Sequence, residues 1–329
     1  MNQKLRQIAL KVDVNTWRGV AYGVPRLVEL LKRYGADATF LFALGPDNSG
    51  RAVRRIFHSG MLAQVFRTSV LSHYGLRTAL LGTLLPAPVI ASQCARTLTN
   101  VQEHGFEVGV HGWDRINWED RAATADNNWI ETEMHQAADA FTRVFGEAPR
   151  VHGAPGWQMN RHALRLTQRL GYEYSSDARG VRPFWPIWQG EPVACLQFPT
   201  TLPTLDELIG INGITAKNIS GHLLLYTIDP PWHGHVYTLR AEVEGMKSIN
   251  ILEQLILGWQ DQGYRLVSLR TLNEHTDREH APRCELGVGS LPGRVGNLMV
   301  QAKVFAEASS PNKQMKESGQ AVQMDANAA

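Results

Sequence analysis

Cysteine is scarce in this chain of 329 residues, and the three that occur, Cys94, Cys195 and Cys284, stand far apart. An odd number of cysteines at such spacings excludes a disulfide framework and the closely spaced pairs of a zinc knuckle. The N-terminus also lacks the apolar core and small-residue cleavage site of a signal peptide. The sequence therefore predicts a protein of a reducing compartment, the cytoplasm.

Long hydrophobic runs are absent as well. The most apolar stretch, residues 79–91, is thirteen residues long and contains two prolines, whereas a helix needs roughly 20 apolar residues to cross a bilayer. We expect this stretch to lie on a membrane at most. The net charge of +2 is too small to predict a nucleic-acid partner.

Acidic residues are missing from one long segment. Between Asn48 and Gln102 there is no Asp or Glu. The same segment contains six arginines: Arg51, Arg54, Arg55, Arg67, Arg77 and Arg96. This local excess of positive charge contrasts with a balanced remainder, and it predicts contact with an anionic partner.

What the chain does contain is the material of a folded α/β domain. Hydrophobic residues make up 43% and charged residues 19%, which is typical of a globular protein. Strand-like and helix-like segments alternate, and this alternation predicts a parallel sheet. The predicted strands are 8–14, 38–44, 106–111, 173–177, 194–199, 235–240 and 264–268, and clear helices are 128–145, 161–170 and 249–261. About seven strands suit a barrel, so we expect one barrel domain over 1–307 and a disordered tail over 308–329.

Polar side chains stand where several predicted strands end. Asp13, His111 and Asp177 each close a strand, and Arg240 closes another, with Glu242 two residues further on. In an α/β barrel the carboxyl ends of the strands meet on one face, where such proteins place their chemistry. Polar loop residues are also common for no functional reason, but four coincidences favour a shared site.

Seven blocks of sequence, in order, carry a resemblance to a known family. They are LKVDVNTWRGVAYGVPRLVELL, FLFALGPDNSGR, HGWD, GAPGWQMN, YSSDARG, LPTLDELIG and YTLRAEVEG. Together they resemble the NodB-type polysaccharide deacetylase family, and within it the 4-deoxy-4-formamido-L-arabinose-phosphoundecaprenol deformylases, over nearly the whole chain to about residue 300. The resemblance implies a distorted (β/α)7-type barrel with a helical insertion, at about 48–102, after the second strand.

The resemblance also implies an activity and a place for it. Deformylases of this kind remove a formyl group from an aminoarabinose carried on a polyprenyl phosphate during lipid A modification, at the inner face of the inner membrane. The family uses a divalent metal, zinc, manganese or cobalt, because a metal ion lowers the pKa of bound water and polarises the amide carbonyl. A base then accepts the proton of the water and an acid protonates the leaving nitrogen.

Five positions of the family's machinery fall on residues of this chain. The base position is Asp13, the metal positions are Asn15, His111 and Arg115, and the acid position is Arg240. Asparagine brings no charge to a metal, and arginine offers no lone pair. A guanidinium with a pKa above about 12 cannot donate a proton near neutral pH. We therefore expect weak metal binding at best, and we expect Arg115 and Arg240 to clamp an anion such as phosphate near Asp13.

Other residues receive roles only through the resemblance. Trp157 would line the sugar pocket, although a core tryptophan fits the sequence equally well. Asp177 and Arg179 would orient the site, or form an ordinary ion pair in a loop, and the same choice applies to Glu242 and, with less support, to Glu244. Four histidines are candidate replacement ligands for the metal, unless they serve the structure alone: His58, His73, His104 and His152.

The segment 48–102 corresponds to an insertion in the deformylases. Its arginines and three aromatic residues, Phe57, Phe66 and Tyr74, predict helices that lie on an anionic inner-membrane surface. The alternative is a helical hairpin packed on the barrel.

Two functional hypotheses follow from the sequence. In the first, the protein is a deformylase-like or deacetylase-like hydrolase of a formamido or acetamido sugar. In the second, it is a catalytically impaired paralogue that binds a lipid-linked or phosphorylated sugar without metal-dependent hydrolysis. Gain of formate release on restoring Asp, His and His at positions 15, 115 and 240 would distinguish them.

Overall fold

The computed structural model describes residues 6–52 and 76–306, and within them a curled parallel sheet surrounds the centre of the fold. Eight strands form this sheet: β1 (Gln7–Val14), β2 (Thr39–Phe42), β3 (Glu107–Val110), β4 (Val151–His152), β5 (Tyr174–Ser175), β8 (Leu196–Gln197), β9 (His235–Arg240) and β10 (Arg265–Val267). Strand β9 begins and ends at the predicted residues. Strand β4 was not predicted, because a strand of two residues is too short to show a pattern of polar and apolar side chains.

The central strand is β1, which is buried along its whole length. One edge of β1 pairs with β9, from Ile8 opposite His235 to Asp13 opposite Arg240. Its other edge pairs first with β10 and then with β2, after which β3, β4, β5 and β8 follow in parallel. After β8 the chain runs beside β9, where the N–H groups of residues 201 and 202 both donate to the carbonyl oxygen of Val236. The predicted distorted barrel is confirmed.

Helices cover the outside of the sheet. In the described part of the chain they are α1 (Val24–Arg33), α2 (Leu76–Leu80), α3 (Ile90–Gln93), α4 (Ala95–Glu103), α5 (Arg115–Arg121), α6 (Asn127–Phe145), α7 (Arg161–Arg169), α8 (Leu205–Leu208), α9 (Ile219–Leu225), α10 (Ile249–Asp261) and α11 (Leu269–Glu274). A π-helical turn, Gly19–Gly23, precedes α1. The bounds of α10 agree with the prediction, and those of α6 and α7 differ from it by one residue.

Helix α6 shows how the sequence sets these bounds. The side chain of Asp126 accepts a hydrogen bond from the N–H of Trp129 and caps the first turn. Gly146 adopts a left-handed conformation with φ 77° and ends the helix. Between them Ile130, Met134, Ala137, Ala140 and Phe141 recur at helical spacing and are buried, so one apolar stripe fixes α6 on the sheet.

A second, mixed sheet was not predicted. It contains β6 (Trp185–Trp188), β7 (Glu191–Pro192), β11 (Arg283–Gly289) and β12 (Leu298–Ala306), in the order β12-β11-β6-β7. Strands β6 and β7 contain prolines and β11 contains glycines. Because these residues are unfavourable inside strands, the sequence did not predict the three segments as strands. The buried residues Phe184, Cys284 and Met299 belong to one apolar cluster beneath this sheet.

The predicted insertion and tail are only partly described. Residues 53–75 of the insertion, with His58 and His73, and the tail from 307 onward lie outside the described residues. In the rest of the insertion, Leu98 and Val101 of α4 are buried in the main core, whereas Leu84 is 80% exposed. No helix within residues 6–52 and 76–306 combines the length and the apolar character needed to span a bilayer.

Candidate functional site

A small polar pocket opens at the carboxyl ends of β1, β3 and β9. Six predicted site residues line it: Asp13, Asn15, His111, Arg115, Trp157 and Arg240. The other lining residues are Glu119, Gly156, Thr204, Asp206, Thr238 and Arg294. The structure thus brings together the residues of the five family positions at one end of the barrel, as parallel strands require.

Asp13 lies at the floor of this pocket and is 7% exposed. Its Oδ1 accepts no hydrogen bond from the described residues. The nearest cation is the ammonium of Lys11, with Nζ 3.4 Å from Oδ1. Lys11 was missed in the sequence, although its place two residues before Asp13 puts both side chains on the same face of β1.

His111 is held as a neutral imidazole. Its Nδ1 lies 2.7 Å from the carbonyl oxygen of Gly153, an acceptor, so Nδ1 carries the proton and donates. The same nitrogen is 3.8 Å from Asp13 Oδ1. Burial lowers the pKa of His111 to about 4, because a charged ring would lose its hydration. Nε2 is therefore left with a lone pair near neutral pH.

Arg115 and Arg240 each have a carboxylate partner. Arg115 donates to Glu119 at 2.9 Å, one turn along α5, and to Ser49 Oγ at 3.4 Å. Arg240 Nη2 lies 2.8 Å from Asp206 Oδ1. Neither Glu119 nor Asp206 was predicted, although the i,i+4 spacing of Arg115 and Glu119 was a readable signal.

The charges of the pocket are therefore nearly balanced. Three arginines line it, and so do three carboxylates, those of Asp13, Glu119 and Asp206. The buried ammonium of Lys11 adds one positive charge behind the wall. The pocket therefore has less uncompensated positive charge than we predicted from Arg115 and Arg240 alone.

Trp157 forms one wall and is surrounded by cations. The centroid of its ring system lies 5.4 Å from Lys11 Nζ, 5.1 Å from Arg179 Cζ and 4.7 Å from Arg294 Cζ. Its backbone has φ 55°, a left-handed conformation that is uncommon for a bulky residue. The indole N–H is buried and makes no hydrogen bond within the described residues. Arg294 lies in the loop before β12 and no sequence signal pointed to it.

Asp177, Arg179, Glu242 and Glu244 do not line the pocket. They hold the loops that do. Asp177 accepts hydrogen bonds from Ala154 N–H at 2.9 Å and pairs with His152 Nδ1 at 2.7 Å. Arg179 pairs with Glu207, which belongs to the capping box of α8, at 2.6 Å.

The two glutamates fix the ends of β1 and β9. Glu242 Oε1 accepts hydrogen bonds from the N–H groups of Asn15 and Thr16, both at 2.8 Å. Glu244 accepts from the N–H of Arg240 at 2.9 Å, and burial raises its pKa to about 7. Both carboxylates thus shape the chain beside the pocket.

The donors present do not fit a divalent metal ion. Within residues 6–52 and 76–306, no group of three or more His, Cys, Asp or Glu side chains is arranged to hold one. His152 is engaged by Asp177, and His104 bonds the carbonyl of Asn100 at an exposed helix end. Among the described candidates, Asn15 directs its amide N–H toward Glu242 at 3.4 Å, and His111 lies 3.8 Å from Asp13, whereas the other lining carboxylates, Glu119 and Asp206, pair with arginines.

A polar pocket at the carboxyl ends of the strands is where parallel barrel enzymes place their active sites, and the comparisons with known proteins make the class specific. Residues 2–175 match the family model for polysaccharide deacetylase. The chain belongs to the polysaccharide deacetylase family.

Two relatives cover most of the chain. A protein of Shewanella sediminis named "Probable 4-deoxy-4-formamido-L-arabinose-phosphoundecaprenol deformylase ArnD" is 31% identical over 94% of this chain and 99% of its own length. A protein of Wigglesworthia glossinidia brevipalpis with the same name is 29% identical over 87% of this chain and 99% of its own length. The resemblance read from the sequence is confirmed.

Solved structures support the fold. A polysaccharide deacetylase structure from Mycobacterium smegmatis has a TM-score of 0.59 at 14% identity, with 88% of this chain and 97% of that chain covered. A second structure of that description, from Pseudomonas aeruginosa PAO1, has a TM-score of 0.57 at 17% identity and covers 83% of this chain and 92% of its own. At such identities the likeness concerns the fold alone.

Proposed function

We propose that this protein binds a formamido or acetamido sugar, linked to a polyprenyl phosphate, in the pocket around Asp13, and that it belongs to the modification of lipid A with aminoarabinose. The similarity to relatives named as deformylases of such a sugar, over nearly the full length of both chains, supports this ligand class. The polar pocket at the end of the barrel supports the location.

We further propose that binding here does not lead to metal-dependent hydrolysis. The observation that carries this step is the pairing of Arg115 with Glu119 and of Arg240 with Asp206. Two guanidinium groups with carboxylate partners stand where the family places a metal ligand and an acid. Neither can coordinate a cation or release a proton near neutral pH.

Hydrolysis by altered means is the second candidate. Asp13 and His111 are retained side by side, and both line the pocket. A carboxylate base and a neutral imidazole can activate a water molecule without a metal, at a lower rate. Retention of these two residues is the specific observation that favours residual activity.

The experiment that separates the two candidates measures formate release from a soluble formamido-arabinose phosphate. We expect no release by the wild type, and release by the triple variant Asn15→Asp, Arg115→His, Arg240→His when a divalent metal is supplied. Release by the wild type that is lost in Asp13→Asn would favour the hydrolase. The same triple variant carrying Asp13→Asn is the control for contaminating activity.

We also propose that the insertion, residues 48–102, rests on the inner face of the inner membrane. Leu80, at the end of α2, and Leu84 and Leu85, in the turn after it, are exposed, and Arg51 donates to the carbonyl of Gly82 beside them. An apolar tip with a nearby cation suits a surface of anionic lipid. Sedimentation with anionic vesicles at low salt tests this proposal. The wild type should bind the vesicles and Leu84→Glu should not. The control is Val288→Glu, which changes an exposed apolar residue on the second sheet and should bind as the wild type does.

A further inference from the structure

Lys11 is a fully buried cation behind the wall of the pocket, beside Asp13. Its ammonium donates to the carbonyl oxygen of Ser176 at 3.2 Å and lies 3.4 Å from Oδ1 of Asp13. The ring of Trp157 lies on another side, with its centroid 5.4 Å from Nζ. Gly153 packs beside this side chain, since a Cβ at that position would come 2.4 Å from Leu41 Cδ1 and 3.2 Å from Lys11 Cε.

A buried ammonium is costly unless a carboxylate compensates its charge. Asp13 provides that carboxylate, with Oδ1 3.4 Å from the ammonium nitrogen. Oδ1 of Asp13, which faces Lys11, has almost no exposed surface and accepts no hydrogen bond from the part of the chain that the structure describes. The Asp13 side chain as a whole is nevertheless 10% exposed, so its accessible part is not Oδ1.

We propose that Lys11 is a positioning residue that holds Oδ1 of Asp13 and thereby turns the second carboxylate oxygen toward the ligand. This inference rests on the proposed function, in which the ligand carries an amide. The second oxygen then accepts the N–H of the formamido group. An uncharged N–H suits this acceptor better than the ammonium of a free amino sugar, because Lys11 already neutralises Asp13.

Calorimetric titration with a soluble 4-formamido-arabinose 1-phosphate tests the proposal. We expect Lys11→Met to weaken binding at least about tenfold, and Lys11→Arg to restore it to within about threefold, because a guanidinium keeps the charge-assisted contact. Lys32→Met, the same change at an exposed position of α1, should bind as the wild type does. Folded Lys11→Met with wild-type affinity would overturn the proposal.

A second measurement decides the matter if Lys11→Met does not fold. In protein labelled with ¹⁵N-lysine, the ammonium signal missing from Lys11→Arg belongs to Lys11. We expect this signal to shift when the formamido sugar phosphate saturates the wild type, and an unchanged signal would contradict the positioning role. If the wild type binds no probe, the proposed function fails by itself. The response of the signal to Asp13→Asn then decides the inference: a shift supports the pair, and no shift overturns it.

Discussion

The carboxylate of Glu119 lies 2.9 Å from the guanidinium of Arg115, one helical turn away on α5. Both side chains are mostly buried, with 17% and 11% exposed. The arginine that the resemblance assigns to a metal position thus comes with its own counter-ion. The charge that the pocket presents to a ligand depends on this pair and not on Arg115 alone.

The Arg115 and Glu119 pair gives a prediction about anion binding. We expect Arg115→Ala to weaken binding of inorganic phosphate, and Glu119→Gln to strengthen it about threefold to tenfold, because removing the counter-ion frees one positive charge. Calorimetry at low salt measures both affinities. Glu29→Gln, which removes an exposed partner of Arg33 on α1, is the matched control. Identical phosphate affinity in the wild type and Arg115→Ala would refute an anion-binding role for Arg115.

Metal uptake is the second prediction. After incubation with excess cobalt or zinc and desalting, the wild type should retain far less than one ion per chain, because Asn15 brings no charge to a metal and Arg115 cannot act as a ligand. The triple variant Asn15→Asp, Arg115→His, Arg240→His should retain about one ion, and His111→Ala added to it should abolish retention. Elemental analysis of the purified chains measures this. One ion per wild-type chain, lost in His111→Ala, would show that other ligands replace the missing ones.

The barrel was predictable from the sequence because its longer strands are buried runs rich in β-branched and aromatic residues, and its longer helices carry periodic burial. Strand β9 and helix α10 illustrate this, since each is long enough for its pattern to set both ends. Strand β4 has only two residues, Val151–His152. The second sheet pairs β6 with β11, segments about a hundred residues apart, and no local pattern encodes such a pairing.

The site was predictable only where a local motif marked it. Asp13, His111 and Arg240 end strands, so their convergence followed from the fold class. Arg294 reaches the pocket from a loop of the second sheet, and its contribution depends on a tertiary arrangement that the sequence does not reveal. Asp177 and Glu242 were recognised as site residues, but burial places them behind the pocket, where they bind backbone N–H groups.

The pH dependence of stability provides a third prediction. Burial, reinforced by the nearby Asp114 carboxylate, raises the pKa of Glu133 to about 7. At Glu133 the folded state therefore binds more protons than the unfolded state between about pH 4.5 and 7, and the contribution of this residue to the free energy of unfolding falls as the pH rises through this window. The fall in this contribution is at most about 3 kcal/mol.

Glu133→Gln should remove this fall, because an amide does not titrate. The fold should be kept, since the amide oxygen can still accept the hydrogen bond from Asp114 N–H. Denaturant unfolding at about pH 5 and about pH 8 measures the slope. Glu103→Gln, at an exposed position, should leave the slope as it is. An unchanged slope in Glu133→Gln would mean that Glu133 titrates at its ordinary pKa.

Trp157 provides the last prediction, which concerns the three cations around its ring. Trp157→Phe keeps an apolar ring and loses no hydrogen bond, since the indole N–H has no partner within the described residues. It weakens three cation–ring contacts, those to Lys11, Arg179 and Arg294, and we expect a loss of about 2 kcal/mol in the free energy of unfolding. Trp129→Phe, where one cation, Arg121, lies 4.9 Å from the ring, should cost less than about 1 kcal/mol. Urea unfolding of both variants compares them. Equal losses would mean that the cations beside Trp157 are stabilised by their carboxylates alone, so that the ring serves only as an apolar wall for the ligand.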